Sequence, residues 1–192
     1  MAALKPQTRK WTRAEYYRMA DLGWFDNQRV ELIEGTVVKM PPQKNFLAIG
    51  IGLAKDAARA AFGPRHWVRV QAPLHLGRRS APEPDVAVVP GGPRDYTATG
   101  PPTTALLIIE ISETTLAYDH DRKASLYARA KIADYWIVNL IDRRLEVRRN
   151  PTPDPSQRYG WRYQDVLLLG PQDRIAPLAV PKKRITVADL LP

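Results

Sequence analysis

The chain has 192 residues, which is enough for one domain with a sizeable core and too few for two comfortable ones. Its residues are 44 % hydrophobic and 26 % charged, as in an ordinary soluble globular protein. It contains no cysteine, which excludes disulfides, thiolate zinc sites and cysteine nucleophiles and fits a reducing cytoplasm. No apolar run approaches the roughly 20 residues that cross a bilayer. No signal peptide is evident, so we expect a cytoplasmic protein without membrane contact.

The net charge is strongly positive. It is +9 at pH 7, with a pI near 9.9, which is typical of proteins with polyanionic partners. The excess is nevertheless spread along the chain, and its densest clusters are Arg143–Arg144 with Arg148–Arg149, and Lys182–Arg184. A basic, solvated surface without a nucleic-acid partner therefore explains the charge equally well.

The N-terminal half predicts a helix over 14–22, a hairpin over 30–40 and a helix over 46–62. Thr12, followed three residues later by Glu15, fits a capping box for the first helix. The hairpin reverses at Glu34–Gly35, where glycine supplies the positive φ of a tight turn. Asn45 is expected to cap the second helix, in which apolar residues recur at helical spacing.

The C-terminal half predicts mainly strands. They lie over 67–76, 85–89, 105–111, 134–140, 144–149 and 166–169, with a helix over 120–131 and a short helix or turn near 187–191. The run over 105–111 is apolar at odd and even positions, which fits a strand buried on both faces of a sheet. A proline-rich stretch over 150–157 is expected to be a loop.

This order of elements predicts a single α/β domain over residues 1–192. We expect a central mixed β-sheet flanked by helices. The core would span about 16–147, and the C-terminal strands and tail would span 148–192.

Two acidic residues stand at strand ends. Asp85 follows Pro84 at the start of one predicted strand, and Glu110 lies near the end of another, 25 positions later. If these strands are neighbours, their carboxylates converge at one edge of the sheet. Two carboxylates, with water and phosphate oxygens in the other positions, suit Mg²⁺. The alternative is that Asp85 caps a turn and Glu110 pairs with an arginine, because a buried charge needs a partner.

Lys123 lies on the predicted helix that follows Glu110. Asp119 and Lys123 are four residues apart, so they share one helix face, and Tyr127 continues that face. One interpretation is an exposed ion pair between Asp119 and Lys123, which contributes roughly a few tenths of a kcal/mol. The other is that Lys123 points toward Asp85 and Glu110. There an ammonium group can orient or activate the attacking water and stabilise charge in a phosphoryl-transfer transition state.

The arrangement of these residues resembles the PD-(D/E)XK nucleases, and more specifically the Uma-two family of restriction-endonuclease-like proteins. The stretches that carry the resemblance are Glu31-Leu32-Ile33-Glu34-Gly35, Pro84-Asp85-Val86-Ala87-Val88-Val89, Glu110-Ile111-Ser112, and Asp119 through Lys123 and Tyr127 to Tyr135-Trp136-Ile137-Val138. The resemblance spans roughly Tyr16 to Val147, most of the chain, and the last of these blocks is the most specific. The resemblance implies a restriction-endonuclease-like fold.

The resemblance also implies roles for four side chains. Asp85 and Glu110 would be metal ligands that hold Mg²⁺ or Mn²⁺, and Lys123 would complete the catalytic set. Glu31 matches the family's N-terminal acid and would bind a metal through water. The superfamily pattern places its lysine two residues after the second acid, where this chain has Ser112. The resemblance therefore implies that the lysine has moved onto the helix at Lys123.

The function that the resemblance implies is a Mg²⁺-dependent endonuclease that hydrolyses phosphodiester bonds of nucleic acid. DNA is the expected substrate, and a homodimer is the expected assembly. The alternative is a catalytically inactive module that binds nucleic acid or protein on a nuclease-like fold. The histidines, His66, His75 and His120, show no spacing typical of metal ligands and are expected to be surface or loop residues.

Overall fold

The N-terminal helix begins where the sequence predicts a cap. The computed structural model describes residues 7–192, and helix α1 spans Arg13–Asp21. The Glu15 backbone N–H donates to the Thr12 side chain, and the Thr12 backbone N–H donates to the Glu15 carboxylate. Both bonds of the predicted capping box are therefore confirmed.

A two-stranded hairpin follows α1. Strands β1 (Val30–Ile33) and β2 (Thr36–Lys39) pair antiparallel around Glu34–Gly35, which confirms the predicted hairpin. Both turn residues have a positive φ, 48° and 74°, which matches the right-handed twist of the strands. The Glu34 carboxylate accepts hydrogen bonds from Ser80 and Arg129. These bonds tie the turn of the hairpin to the rest of the molecule.

The long helix α2 spans Asn45–Phe62. Its N-cap residue is Lys44, and Asn45 already lies inside the first turn, so the prediction that Asn45 caps the helix is wrong. The buried face of α2 consists mainly of small residues: Gly50, Ile51, Ala54, Ala58, Ala61 and Phe62. In contrast, Phe46 and Ile49 at the start of the helix are exposed. Small residues allow α2 to pack close to the sheet.

A six-stranded mixed sheet forms the centre of the molecule. Its strands are β3 (His66–Val70), β4 (Val86–Pro90), β5 (Leu107–Ser112), β6 (Asp134–Asn139), β7 (Arg144–Pro153) and β8 (Trp161–Leu169). Their spatial order follows the chain. Strands β5 and β6 are parallel, and every other neighbouring pair is antiparallel. The predicted mixed α/β architecture is confirmed.

The connection between the parallel strands β5 and β6 is one helical segment in three parts. They are α3 (Leu116–Tyr118), a π-helical turn (Asp119–Lys123) and α4 (Ala124–Arg129). The helix predicted over 120–131 therefore begins at Leu116, ends at Arg129 and contains a π-helical turn. Such turns occur frequently at functional sites.

Several predicted strand boundaries are wrong. The strand predicted over 67–76 ends at Val70, because Gln71 has a φ of 46° and leaves the extended conformation. β7 continues through the predicted loop as far as Pro153, and β8 begins at Trp161 rather than at residue 166. Pro151 fits in β7 because the chain there has passed the end of β6 and pairs only with β8.

The C-terminal segment adds small elements. Strands β9 (Arg174–Ile175) and β10 (Ile185–Thr186) pair antiparallel, and a 3₁₀ turn over Val187–Leu190 confirms the predicted short helix or turn. Another 3₁₀ turn, Pro93–Tyr96, precedes β5. None of the helices within residues 7–192 is long and apolar enough to cross a membrane.

Strand β5 is covered on both faces of the sheet. All six of its residues are buried, which confirms the prediction made from its apolar sequence. Ile109 and Ile111 pack in the cluster that contains α2 and the C-terminal segment. Ile108 packs on the opposite face, in the cluster that contains α4. Because side chains alternate along a strand, Glu110 lies on the face covered by α4.

Candidate active site

Asp85 and Glu110 lie next to each other on neighbouring strands. β4 and β5 are antiparallel with Val86 opposite Ile109, so the residue before β4 lies beside Glu110. The Asp85 backbone N–H donates to Glu110 Oε2 at 3.3 Å, and the Ile111 N–H donates to Asp85 Oδ2 at 2.9 Å. The structure therefore brings together the two acids that the sequence predicts as metal ligands.

Lys123 reaches Glu110 from the π-helical turn. Its side chain is 2 % exposed, and Nζ lies 2.9 Å from Glu110 Oε1 and 3.2 Å from Glu31 Oε1. The alternative of an exposed ion pair with Asp119 is wrong, because Lys123 is buried and its carboxylate partners lie on β5 and β1. Burial by itself would lower the pKa of Lys123, but Glu110 and Glu31 outweigh burial and raise that pKa well above its usual range. Lys123 is accordingly a charged hydrogen-bond donor.

Glu31 enters the site from β1. Its Oε1 accepts from Lys123, whereas its buried Oε2 has no hydrogen-bond partner within residues 7–192. Burial raises the pKa of Glu31 to about 7, with Lys123 opposing this shift and Glu110 adding to it. A buried oxygen without a donor is costly. Glu31 thus offers a free acceptor to a water or a cation.

Tyr127 and Asp119 complete the site from the helical segment. The Tyr127 hydroxyl donates to Glu110 Oε1 at 2.7 Å and so fixes the carboxylate that Lys123 also binds. Asp119 is buried and accepts from Thr115 Oγ1 at 2.8 Å. Burial and the charge of Glu110 raise the pKa of Asp119 above its usual range, and the charge of Lys123 opposes this shift. The sequence placed both residues on the helix face of Lys123 but predicted no role in the site for either, because spacing does not reveal what a face packs against.

Asp85, Glu110, Glu31, Lys123 and Asp119 line one small cavity. Its volume is about 40 Å³, which holds roughly one or two waters or a single cation. Its acidic lining residues are Glu31, Glu83, Asp85, Glu110 and Asp119. Its basic lining residues are Arg29 and Lys123, so carboxylates outnumber cations. Glu83 was not predicted as a site residue. It lies two residues before Asp85, and side chains at this spacing point to the same side of an extended chain.

A larger open cleft lies elsewhere, between α2 and the C-terminal segment. Its volume is about 480 Å³, and its lining includes Asp56, Lys183, Arg184 and Asp189. All four of these charged residues are exposed, so solvent screens them. The smaller cavity, where charges converge in buried surroundings, is therefore the better candidate for chemistry.

The donor atoms of the small cavity fit a hard divalent cation. Mg²⁺ and Mn²⁺ prefer carboxylate oxygens, which this cavity offers together with the unpartnered Oε2 of Glu31. Burial, followed by the charge of Glu110, raises the pKa of Asp85 to about 6. The hydrogen bond from the Ile111 N–H opposes this shift. Within residues 7–192, no group of three or more acidic or histidine side chains is already arranged to hold a metal ion. Protein donors occupy Glu110 Oε1 and Asp85 Oδ2, so a cation would compete with these donors.

Comparison with known proteins supports the fold and identifies the family. No curated protein matches the chain in sequence. A solved structure from Anabaena variabilis, titled "a putative nuclease belonging to DUF820", is similar with a TM-score of 0.61 at 12 % identity, over 85 % of this chain and 89 % of that chain. The family Uma2, described as "Putative restriction endonuclease", matches residues 13–188. This match covers most of the chain, and we conclude that the protein belongs to the Uma2 family.

Proposed function

We propose that the protein is a metal-dependent endonuclease that uses Mg²⁺ or Mn²⁺ to hydrolyse phosphodiester bonds of DNA. The observation that carries the proposal is the buried ammonium of Lys123 between Glu110 and Glu31, at a cavity that Asp85 also lines. A buried set of convergent charges with perturbed pKa values is typical of catalytic sites. Membership of a family described as restriction endonucleases supports the same class of reaction and supports DNA as the substrate.

Each predicted side chain has a task in this proposal. Asp85 and Glu110 would hold the ion directly, and Glu31 would reach it through water. When bound, the ion supplies Lewis acidity toward a phosphoryl oxygen. Lys123 stays protonated because its pKa is raised, so it donates a hydrogen bond to the attacking water or to a phosphate oxygen. Glu31, with a pKa of about 7 and a free Oε2, can accept the proton of the water as its oxygen bonds to phosphorus. The bridging P–O bond breaks, and the leaving oxygen takes a proton from a solvent water.

The test of this function is a cleavage assay with added metal. We expect the protein to cut plasmid DNA with Mg²⁺ or Mn²⁺ and to stop when EDTA is added. Asp85→Asn should lower the cleavage rate roughly 100-fold or more, because it removes a ligand of a Lewis acid that contributes several kcal/mol. Asp21→Asn, at the exposed end of α1, is the matched control and should cut normally. Cleavage that persists in EDTA and in Asp85→Asn would refute the proposal.

A homodimer is part of the proposal. β8 is the outer strand of the sheet, and its residues Val166, Leu167 and Leu168 are 46 %, 43 % and 59 % exposed. An exposed apolar outer strand offers unpaired backbone groups, and antiparallel pairing with the same strand of a second copy is two-fold symmetric. We expect light scattering to give the mass of a dimer and Leu168→Lys to give a monomer. A monomeric wild-type protein at high concentration would exclude this assembly.

One observation favours the alternative, a binding module without turnover. Glu110 Oε1 already accepts hydrogen bonds from both Lys123 and Tyr127, which satisfies this carboxylate oxygen without a metal. Calorimetry discriminates the two functions. The nuclease should bind Mn²⁺ in a manner that Asp85→Asn abolishes, whereas an inactive module should show no binding that depends on Asp85.

A further inference from the structure

A buried arginine that forms no ion pair with a carboxylate of residues 7–192 lies near the candidate active site. Arg69 is on β3 and is 7 % exposed. Its guanidinium Nη1 donates to the Pro73 carbonyl at 2.8 Å. The guanidinium carbon lies over the Trp67 ring, 4.8 Å from the ring centroid. Its Nε is buried and has no hydrogen-bond partner within the described chain. Within residues 7–192, the close contacts of the Arg69 guanidinium are thus a carbonyl dipole and an aromatic face.

A second arginine approaches the same place from α1. Arg13 is the first residue of that helix, and its Nε and Nη1 are buried without a hydrogen-bond partner in the part of the chain that the structure describes. Tyr17 lies one turn further along α1, and its hydroxyl is 2.9 Å from His75 Nε2. Burial, and then the charges of Arg13 and Arg69, lower the pKa of His75 to about 4. The Pro73 carbonyl that Arg69 binds lies two residues before His75, and Arg13 lies one helical turn before Tyr17, so both arginines lie near the Tyr17–His75 hydrogen bond.

This cluster of Arg13, Tyr17, Arg69 and His75 contains two arginines, against the charge of one acid, Glu83, which also acts on Tyr17. Among residues 7–192, no carboxylate lies within 4.0 Å of either arginine. Buried charges are normally paired, because an isolated buried cation is unfavourable. Guanidinium groups bind phosphate oxygens in a bidentate fashion and are weakly hydrated, which makes an oxyanion the natural missing partner.

Arg69 lies on the same face of the sheet as the candidate active site. Arg69 is opposite Ala87 in the pairing of β3 with β4, and Ala87 is two residues from Asp85. Two residues of a strand span about 7 Å. Gln71, two residues after Arg69 and just beyond the end of β3, donates to Asp85 Oδ1 at 3.2 Å. A nucleic-acid strand advances about 3.4 Å of axis per nucleotide, so a few nucleotides bridge this separation.

We propose that Arg13 and Arg69 bind a backbone phosphate of the nucleic-acid strand, a few nucleotides from the phosphate that is cleaved, with Tyr17 and His75 forming the neutral wall of this site. The proposal rests on the proposed function, because it names a second contact of the same substrate. Its role is to position the strand and not to read its sequence, since phosphate contacts set register and are common to every base.

The experiment measures binding without cleavage. A short fluorescein-labelled DNA duplex is titrated with protein in EDTA, and the dissociation constant is obtained from anisotropy at several salt concentrations. We expect Arg13→Met and Arg69→Met each to weaken binding about tenfold and to reduce the salt slope by roughly one. Arg18→Met is the matched control, because Arg18 is exposed on the same helix, and its affinity should be unchanged.

Stability separates this role from a merely structural one. Arg69→Met should fold at least as stably as the wild-type protein in buffer without phosphate, because methionine replaces a buried unpaired cation. Lower stability of Arg69→Met, with unchanged DNA affinity in both variants, would overturn the proposal. Binding of a poly-glutamate peptide that depends on both arginines, with DNA affinity unchanged, would also overturn it and indicate a carboxylate partner. Weaker DNA binding in the two variants upholds the site even if the protein cleaves no DNA.

Discussion

Lys123→Met is expected to lower the free energy of unfolding by about 3–5 kcal/mol, the usual effect of removing one partner of a buried ion pair. The Lys123 side chain is 2 % exposed and lies within 3.2 Å of carboxylate oxygens of both Glu110 and Glu31. Methionine fills a similar volume but leaves these carboxylates buried without their ammonium group. Tyr127 still donates to Glu110, which limits but does not remove the loss.

The loss should depend on pH in a defined direction. Burial raises the pKa of Glu31 to about 7 from an ordinary value of 4.5, so the folded state binds more protons than the unfolded state between these values. The contribution of such a group is fully present below its unfolded pKa and is lost as the pH rises through its folded pKa. Lys123 is the main opposing influence on this shift, so its removal should raise the pKa of Glu31 further. Lys123→Met should therefore be more destabilising at pH 8 than at pH 5.

Urea denaturation at these two pH values measures both effects. Lys55→Met is the control, because Lys55 also lies on a helix but is partly exposed and pairs with its sequence neighbour Asp56, with Nζ 3.1 Å from Oδ1. We expect the control to change stability by less than about 0.5 kcal/mol at either pH. An equal loss for Lys123→Met at pH 5 and pH 8, or a loss no larger than that of the control, would contradict the proposed electrostatics.

Asp134→Ala is expected to lower the free energy of unfolding by a similar amount, about 3–5 kcal/mol. Asp134 is fully buried on β6 and accepts from Arg149 Nε at 2.8 Å, from the Trp136 indole N–H at 2.8 Å and from the Leu178 N–H at 2.8 Å. Alanine leaves all of these donors unsatisfied and leaves Arg149 without its anion. Arg149 also donates to the Ala176 carbonyl, so the same network holds the C-terminal segment against the sheet.

Asp121→Ala is the matched control for this second prediction. Asp121 also pairs with an arginine, Arg158, at 2.6 Å, but both side chains are exposed, and such pairs contribute about 0–1 kcal/mol. Thermal unfolding compares the two variants. Limited trypsin digestion adds a local readout, because release of the C-terminal segment should speed cleavage at Lys182 and Lys183 in Asp134→Ala only. Wild-type stability in Asp134→Ala would contradict the role assigned to this network.

Local sequence signals predicted much of the fold. The capping box at Thr12, the hairpin turn at Glu34–Gly35 and the doubly buried strand over 105–111 each depend on residues close together in the chain. Predictions failed where neighbours in space decided the outcome. Pro151 is an example, since a proline usually ends a strand but is accommodated where β7 extends past the end of β6.

The candidate active site also combines residues predicted from the sequence with residues that only the tertiary structure reveals. Asp85, Glu110, Glu31 and Lys123 were predicted, and the structure places all four at one cavity, while their metal-binding and catalytic roles stay predictions. Tyr127, Asp119 and Glu83 were not predicted as site residues, because each joins the site through packing. The cluster around Arg69 has no sequence signal, since Arg13 and Arg69 are 56 residues apart and each resembles a surface arginine.

The amino-acid sequence by itself determined the family, the buried strand that carries Glu110 and the identity of the charged residues available for chemistry. The family follows from the resemblance of several motifs to a known family, and the buried strand follows from local composition, both of which a linear chain already contains. The tertiary structure decided which charges meet. Lys123 pairs with Glu31, 92 positions away, because the hairpin docks beside the helical segment. Burial then gives this pair its strength, since the same charges in water would attract each other only weakly.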